Sequence, residues 1–241
     1  MPTVLLVRHG RTTANAQGIL AGRAAGVRLD AVGREQAARA AARLAEVPLA
    51  AVVSSPLERC RQTSRIVVEH QHQHQHQHEQ DGEHAPQLLV ERGITECDYG
   101  QWQGKSLRDL ADDPLWSQVQ TQPSAVTFPG GESLAAMQAR SVAAIRRHDA
   151  AVEEQHGQGA VWAAVAHGDI IKSVLADALG THLDLFQRIV VGPASVSIVR
   201  YGPHRPEVVA TNTDAGDLSW LRDAGPAGDA PVGGGAGAGA S

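Results

Sequence analysis

Leu5-Leu6-Val7-Arg8-His9-Gly10-Arg11-Thr12-Thr13-Ala14-Asn15 is the stretch on which the reading of this chain turns. The apolar run 4–7, β-branched at both ends, is too short for a stable helix and reads as a buried strand. Arg8, His9, Gly10 and Arg11 follow at its carboxyl end, where an open α/β sheet gathers its ligand. Two guanidiniums present forked donors suited to phosphate oxygens, and Gly10 permits a close backbone approach. The neighbouring arginines disfavour an imidazolium, which leaves His9 a lone pair at neutral pH. These residue types point to a histidine nucleophile attacking phosphorus. A histidine in a basic surface turn is the competing reading of the same residues.

Working outward, residues 17–30 are rich in glycine and alanine and read as a loop over the site. Residues 33–47 carry Ala37, Ala38, Ala41, Leu44 and Ala45 on one helical face, and Pro48 stops the helix. A second strand is expected over 49–53. Ser55-Pro56-Leu57-Glu58 then has the form of a helix start, with Ser55 as cap, Pro56 at the first position and Glu58 closing a capping box. That places Arg59 in a first turn, where its side chain can join Arg8.

Residues 70–78 alternate histidine and glutamine. Imidazoles at that density capture transition metals, but a polar repeat with no core-forming residue reads as a solvent loop inserted over about 70–84. Residues 87–90 form another short strand. The glycines at 93, 100 and 104, with Tyr99 and Trp102 between, suggest an irregular loop pinned by aromatic packing. Ser106 caps a short helix, and 112–129 is expected to be a partly mobile cover over the site. A long helix runs from 133 to about 155 and ends at Gly157. The apolar run 160–166 is the clearest buried strand in the chain. His167 stands at its carboxyl end, ahead of an amphipathic helix over 169–179. Residues 195–201 and 206–211 read as a hairpin, and 223–241 as a disordered Gly/Ala-rich tail.

Composition narrows the function classes. Of 241 residues 42% are hydrophobic and only 3% aromatic, so a core is available but alanine, valine and leucine must fill it. A formal charge of −5 offers no global attraction to nucleic acid or an anionic membrane. Cys60 and Cys97 are too few for a disulfide framework or, alone, a structural zinc site. No apolar run approaches a membrane span or a signal-peptide core. A cytoplasmic setting is expected.

The opening R-H-G-R-T-x-x-N is followed, in order, by Ser54-Ser55-Pro56-Leu57-Glu58-Arg59-Cys60-Arg61, by Glu96-Cys97-Asp98-Tyr99-Gly100-Gln101-Trp102-Gln103-Gly104 and by Ala166-His167-Gly168-Asp169. Together these segments resemble the histidine phosphatase superfamily, the group related to phosphoglycerate mutase, from about residue 3 to about 218. The resemblance implies a three-layer α/β/α sandwich with a mostly parallel central sheet, a domain over 1–222, and phosphomonoester chemistry through a phosphohistidine on His9. It implies that Arg8, Arg59 and His167 surround the phosphoryl oxygens, that Asn15 adds a neutral donor, and that Glu96 is the proton donor and acceptor. Thr12, Gly168 and Arg11 complete the substrate-binding set, with Arg11 meeting the far end of the substrate or playing no direct part. No metal and no cofactor is implied, and the partner is a small phosphorylated molecule. The region after Gly104 lacks the glycine-leucine-asparagine-lysine pattern of cofactor-dependent phosphoglycerate mutases. That favours hydrolysis, with a phosphomutase or a catalytically silent phosphate-binding relative as the alternatives. Residues 27–30 depart from the proline-leucine-threonine segment of many relatives, and Arg28 is either an extra charge near the pocket or a loop residue. The oligomeric state and the substrate's identity are not legible.

Overall fold

A computed structural model describes residues 2–77, 86–202, 204–214 and Gly233. In chain order the elements are β1 (Thr3–Arg8), α1 (Thr13–Ala16), α2 (Ala31–Ala45), β2 (Ala51–Ser54), α3 (Glu58–Gln77), β3 (Gln87–Val90), α4 (Leu107–Leu110) and α5 (Trp116–Thr121). They continue with α6 (Leu134–His156), β4 (Val161–Ala166), α7 (Gly168–Ala178), β5 (Val196–Tyr201) and β6 (Pro206–Thr213). The six strands form one sheet in the order β3-β2-β4-β1-β5-β6. The first four are parallel to one another, while β5 runs antiparallel to β1 and β6 antiparallel to β5. The mixed α/β architecture with a mostly parallel sheet is thus present, with the expected hairpin at one edge.

Period-two alternation along β1 explains the layers. Val4 and Leu6 face one core with Trp162, Ile170, Met137 and Phe128, whereas Leu5 and Val7 face the other with Ala41, Leu44, Val52 and Val67. Helices α6 and α7 cover the first face and α2 and α3 the second. The strand register matters for function: Arg8 lies opposite Ala166, and Ser54 opposite Val165. The chain therefore leaves β1, β2 and β4 at one edge of the sheet, carrying His9, Ser55 and His167 together.

Two glycines lock that edge. A Cβ on Gly10 would overlap the carbonyl of Gly33, and a Cβ on Gly33 would overlap the backbone of Arg11. The first turn of α2 thus presses against the loop that follows β1, so the close approach Gly10 permits is to this helix. Asp30 secures the contact twice, capping the Gly33 N–H at 2.7 Å through one oxygen and holding Arg11 Nε at 2.9 Å through the other.

Two expectations are corrected. The His/Gln repeat was expected to lie in a loop, yet α3 continues through it to Gln77; residues 78–85 lie outside those described. Histidine and glutamine cost a helix only tenths of a kcal/mol each, roughly, and Gln71 supplies a tertiary anchor. Its buried amide donates to the carbonyls of Leu44 and Val47 and accepts from the Leu49 N–H, closing the end of α2. The expected cover over 112–129 is instead packed structure, because Trp116, Val119, Val126 and Phe128 are all buried in the α6/α7 core. The expected tail over 223–241 lies outside the described residues apart from Gly233. No helix among the described residues is long and apolar enough to cross a membrane.

Gly33→Ala is expected to destabilise the fold by about 2 kcal/mol, the cost of overpacking a site closed by backbone on both sides. The check is the denaturant midpoint at unchanged slope; a midpoint indistinguishable from wild type would contradict the close packing.

Candidate active site

His9 is buried just past β1, and its orientation is set by the backbone. Nδ1 lies 2.7 Å from the Gly10 carbonyl oxygen, an acceptor only, so Nδ1 carries the proton and Nε2 keeps its lone pair. Arg59 Nε donates to that Nε2 at 3.2 Å. Burial, with Arg59 and Arg8 beside it, holds the imidazole well below its ordinary pKa, against a smaller upward pull from the Gly10 carbonyl. The loop is also held from α3: Thr63 Oγ1 accepts from the Gly10 N–H at 3.2 Å and donates to the Arg59 carbonyl.

Arg8 and Arg59 enter from different elements. Arg8 follows Leu6 in the alternation of β1 and is fully buried, with Nη1 on the Val191 carbonyl at 2.8 Å. Burial lowers its pKa to about 10, opposed by Glu96 and Asp169. Arg59 stands in the first turn of α3; Nη2 donates to the Gly22 carbonyl at 2.8 Å, whereas buried Nη1 has no partner among the described residues. Gly233 completes this side, its N–H on Asp169 at 3.0 Å and its carbonyl accepting from Arg8 Nη2 at 3.4 Å.

His167 lies edge-on to His9, ring centroids 5.3 Å apart, at the N-terminus of α7. Its Nε2 meets Ser55 Oγ at 2.7 Å and its Nδ1 lies 3.8 Å from Glu96 Oε2. Desolvation and the arginines keep it neutral, well below the ordinary histidine pKa. Ser55 therefore serves a different partner from the one its sequence position suggests. It is turned to His167, only a long 3.4 Å contact reaches the Leu57 N–H, and α3 begins at Glu58, which pairs with Arg28 instead of closing a capping box.

Glu96 is buried between the two guanidiniums and α7. Burial first, then the Asp169 carboxylate, raises its pKa to about 7, with Arg59, the Cys97 N–H and Arg8 pulling the other way. The Cys97 N–H donates to Oε1 at 2.9 Å. The segment carrying it is clamped: Arg23 Nε and Arg140 Nη2 both donate to the Glu96 carbonyl, and both arginines share Glu132. Behind it, Tyr99 donates to Asp169 at 2.8 Å, and Lys172 Nζ lies 3.9 Å from the same carboxylate.

Of the residues singled out from sequence, His9, Arg8, Arg59, Glu96 and His167 come together. Asn15 and Thr12 line the cleft above them, an opening of about 370 Å³. They form a reciprocal cap on α1 in which Asn15 Oδ1 accepts from Thr12, leaving the Asn15 NH2 as the offered end. Gly168 opens α7 beneath the site. Arg11 is not among the cleft's lining residues; its guanidinium is on Asp30. Sequence reasoning missed Ser55 as the partner of His167, the Asp169–Tyr99 pair and the Arg23–Glu132–Arg140 clamp. The only advance signals were the acidic residue after His167-Gly168 and a lone glutamate after two glycines.

A family model for the histidine phosphatase superfamily (branch 1) matches residues 4–214. A bifunctional protein of Mycobacterium tuberculosis is 30% identical over 200 residues, 82% of this chain and 50% of that protein, so the chain spans about half the length of this relative. An adenosylcobalamin/alpha-ribazole phosphatase of Salmonella typhimurium is 33% identical over 108 residues, 45% of this chain and 46% of that protein. Among solved structures, a mycobacterial glucosyl-3-phosphoglycerate phosphatase in complex with VO3 superposes with TM-score 0.75 at 23% identity, covering 88% of this chain and 99% of that one. Bacillus stearothermophilus YhfR gives 0.73 at 25% identity, covering 91% and 98%.

The geometry makes a prediction free of any substrate. In nitrogen-15 spectra His9 is expected to hold the Nδ1–H tautomer and stay uncharged well below the pH at which an ordinary imidazole titrates. A midpoint at the ordinary value, or an Nε2–H tautomer, would contradict the arrangement.

Proposed function

This chain belongs to the histidine phosphatase superfamily, and on that premise we propose that it is a phosphomonoesterase that passes the phosphoryl group through His9 to water. The observation that carries the reading is the pairing, inside one buried site, of an imidazole kept neutral with a carboxyl group raised to about 7. Phosphatase names among the relatives support hydrolysis. A small phosphorylated metabolite is the proposed substrate class. A cytoplasmic setting belongs to the same proposal, supported by two free cysteines that are both buried.

Because Nδ1 is tied to Gly10, the attacking atom is Nε2. The Nε2–P bond forms as the ester P–O bond breaks, and the alkoxide leaves with the proton of Glu96. Arg59 Nη1, Arg8 and His167 meet the equatorial oxygens, and the Asn15 amide adds a neutral donor. The Gly10 carbonyl stabilises the Nδ1–H of the cationic phosphohistidine. Water then attacks phosphorus, gives its proton to the Glu96 carboxylate, and releases orthophosphate as the N–P bond breaks. Acid and base roles thus alternate on one residue. The guanidinium groups supply the charge neutralisation that phosphoryl transfer demands, and the neutral imidazole of His167 adds a hydrogen bond.

A screen over a phosphomonoester panel with chelator present tests the reading. Free phosphate is expected from wild type, with a loss on the order of 1,000-fold or more in His9→Ala. Isomerised substrate in place of phosphate would make the chain a mutase; activity lost to chelator, or surviving His9→Ala, would overturn the mechanism.

The pH dependence has a definite sign. The first half-reaction uses protonated Glu96, so the rate of phosphoenzyme formation on an alkyl phosphate falls above about pH 7, while neutral His9 keeps the acid limb below the ordinary histidine range. Glu96→Gln is expected to lower that rate by roughly 100-fold or more and to abolish the alkaline limb. Single-turnover rates across pH check this; a limb persisting in the variant would assign the proton to another group.

A further inference from the structure

The His/Gln repeat takes no part in the chemistry above, and its helical form changes what its imidazoles can do. Because α3 runs on to Gln77, His70 and His74 stand one turn apart on the same face of a helix, with Cβ atoms about 6 Å apart. That is the spacing at which two imidazoles of one helix hold a single zinc ion. In a loop the same two residues would first have to be ordered; here the backbone already sets them.

A third donor comes from the neighbouring helix. Glu46 caps the end of α2, and its Oε1 lies 3.9 Å from His74 Nε2. Two donors bound at about 2.0–2.1 Å to one tetrahedral zinc ion lie roughly 3.4 Å apart. The observed pair is therefore only slightly wider than a shared ion requires, and the Glu46 side chain is mostly exposed, with room to move. Gln71 keeps this part of α3 against α2 through the Leu44 and Val47 carbonyls. Charge favours a cation as well, because the C-terminal end of α2 is the negative end of its dipole and Glu46 adds a carboxylate there. His70 Nε2 is buried with no hydrogen-bond partner among the described residues, a nitrogen that ligation would satisfy. No three such donors among the described residues already converge on one point, so the site closes by side-chain rotation when the ion binds.

We propose that His70, His74 and Glu46 form a binding site for a late first-row divalent cation such as zinc, which pins the C-terminal half of α3 to the end of α2. Imidazole suits such an ion, whereas magnesium, which keeps to oxygen ligands and water, is not held. His74 lies roughly 22 Å along the helix axis from Arg59. The site is structural and independent of the chemistry at His9.

The test follows the melting temperature of chelator-treated, full-length protein as Zn2+ is added, with Mg2+ in parallel. Zn2+ is expected to raise it by about 3 °C or more, and Mg2+ to leave it unchanged. The double substitution His70→Ala/His74→Ala is expected to abolish that shift, and Glu46→Gln to weaken Zn2+ binding by about 10-fold or more. His72→Ala, on an exposed face of the helix, is expected to keep the shift. Should the double variant fold poorly, the exposed Glu46→Gln change carries the test alone. No shift with Zn2+, an equal shift with Mg2+, or binding unaltered by Glu46→Gln overturns the site. A loss in His72→Ala as large as in the double variant overturns it too, since the repeat would then capture metal diffusely.

Discussion

Arg8 and Arg59 are buried within reach of one imidazole, and the electrostatic cost of that placement governs the rest of the site. Two desolvated guanidiniums cannot be left to themselves. The fold answers with carbonyls from Val191 and Gly22, with the carboxylates of Glu96 and Asp169 nearby, and with an imidazole that forgoes its own charge. Arg59 Nη1 is buried with no hydrogen-bond partner among the described residues. Such a pocket is an anion receptor whose strain is relieved by a ligand, which is how binding energy can be directed to the transferring group.

The same burial that threatens the arginines prepares the proton chemistry. Glu96 is pushed up to about 7 by desolvation and by Asp169, while the guanidiniums stop it from rising further. Asp169 is itself held by Tyr99, so the pair of carboxylates is fixed at a distance set by the packing of α7 against the loop carrying Tyr99. The Arg23–Glu132–Arg140 clamp on the Glu96 backbone keeps the carboxyl from swinging out toward water, where its pKa would return to ordinary values. Positioning and pKa are one property of this loop.

How much of this could be read from the chain follows from whether a signal was local. β1 and β4 were legible because each is a strongly patterned run leading into an arginine or histidine of a recognisable motif, and α7 because its amphipathic pattern starts straight after His167; the parallel register then brings His9 and His167 to one edge. The His/Gln segment misled because composition argued for solvent while helix continuity and the buried Gln71 amide decided otherwise. The stretch 112–129 misled because its apolar residues follow no period. With aromatics so scarce, the burial of Trp116 and Phe128 was the better guide. Ser55 was read from its neighbours as a helix cap, and its actual partner, His167, follows the neighbouring strand β4. Asp169 looked like an ordinary first-turn acid on α7, and nothing local linked it to Tyr99.

At the centre of the account is a covalent bond between phosphorus and His9 Nε2. The direct measurement is to stop turnover of a slow phosphomonoester in the steady state with alkali, digest the protein, and locate the phosphoryl group by mass spectrometry under non-acidic conditions. The account predicts an alkali-stable, acid-labile phosphoryl group on His9, absent from His9→Ala. A label on another residue, or full turnover with no label on His9 at any time point, would contradict it.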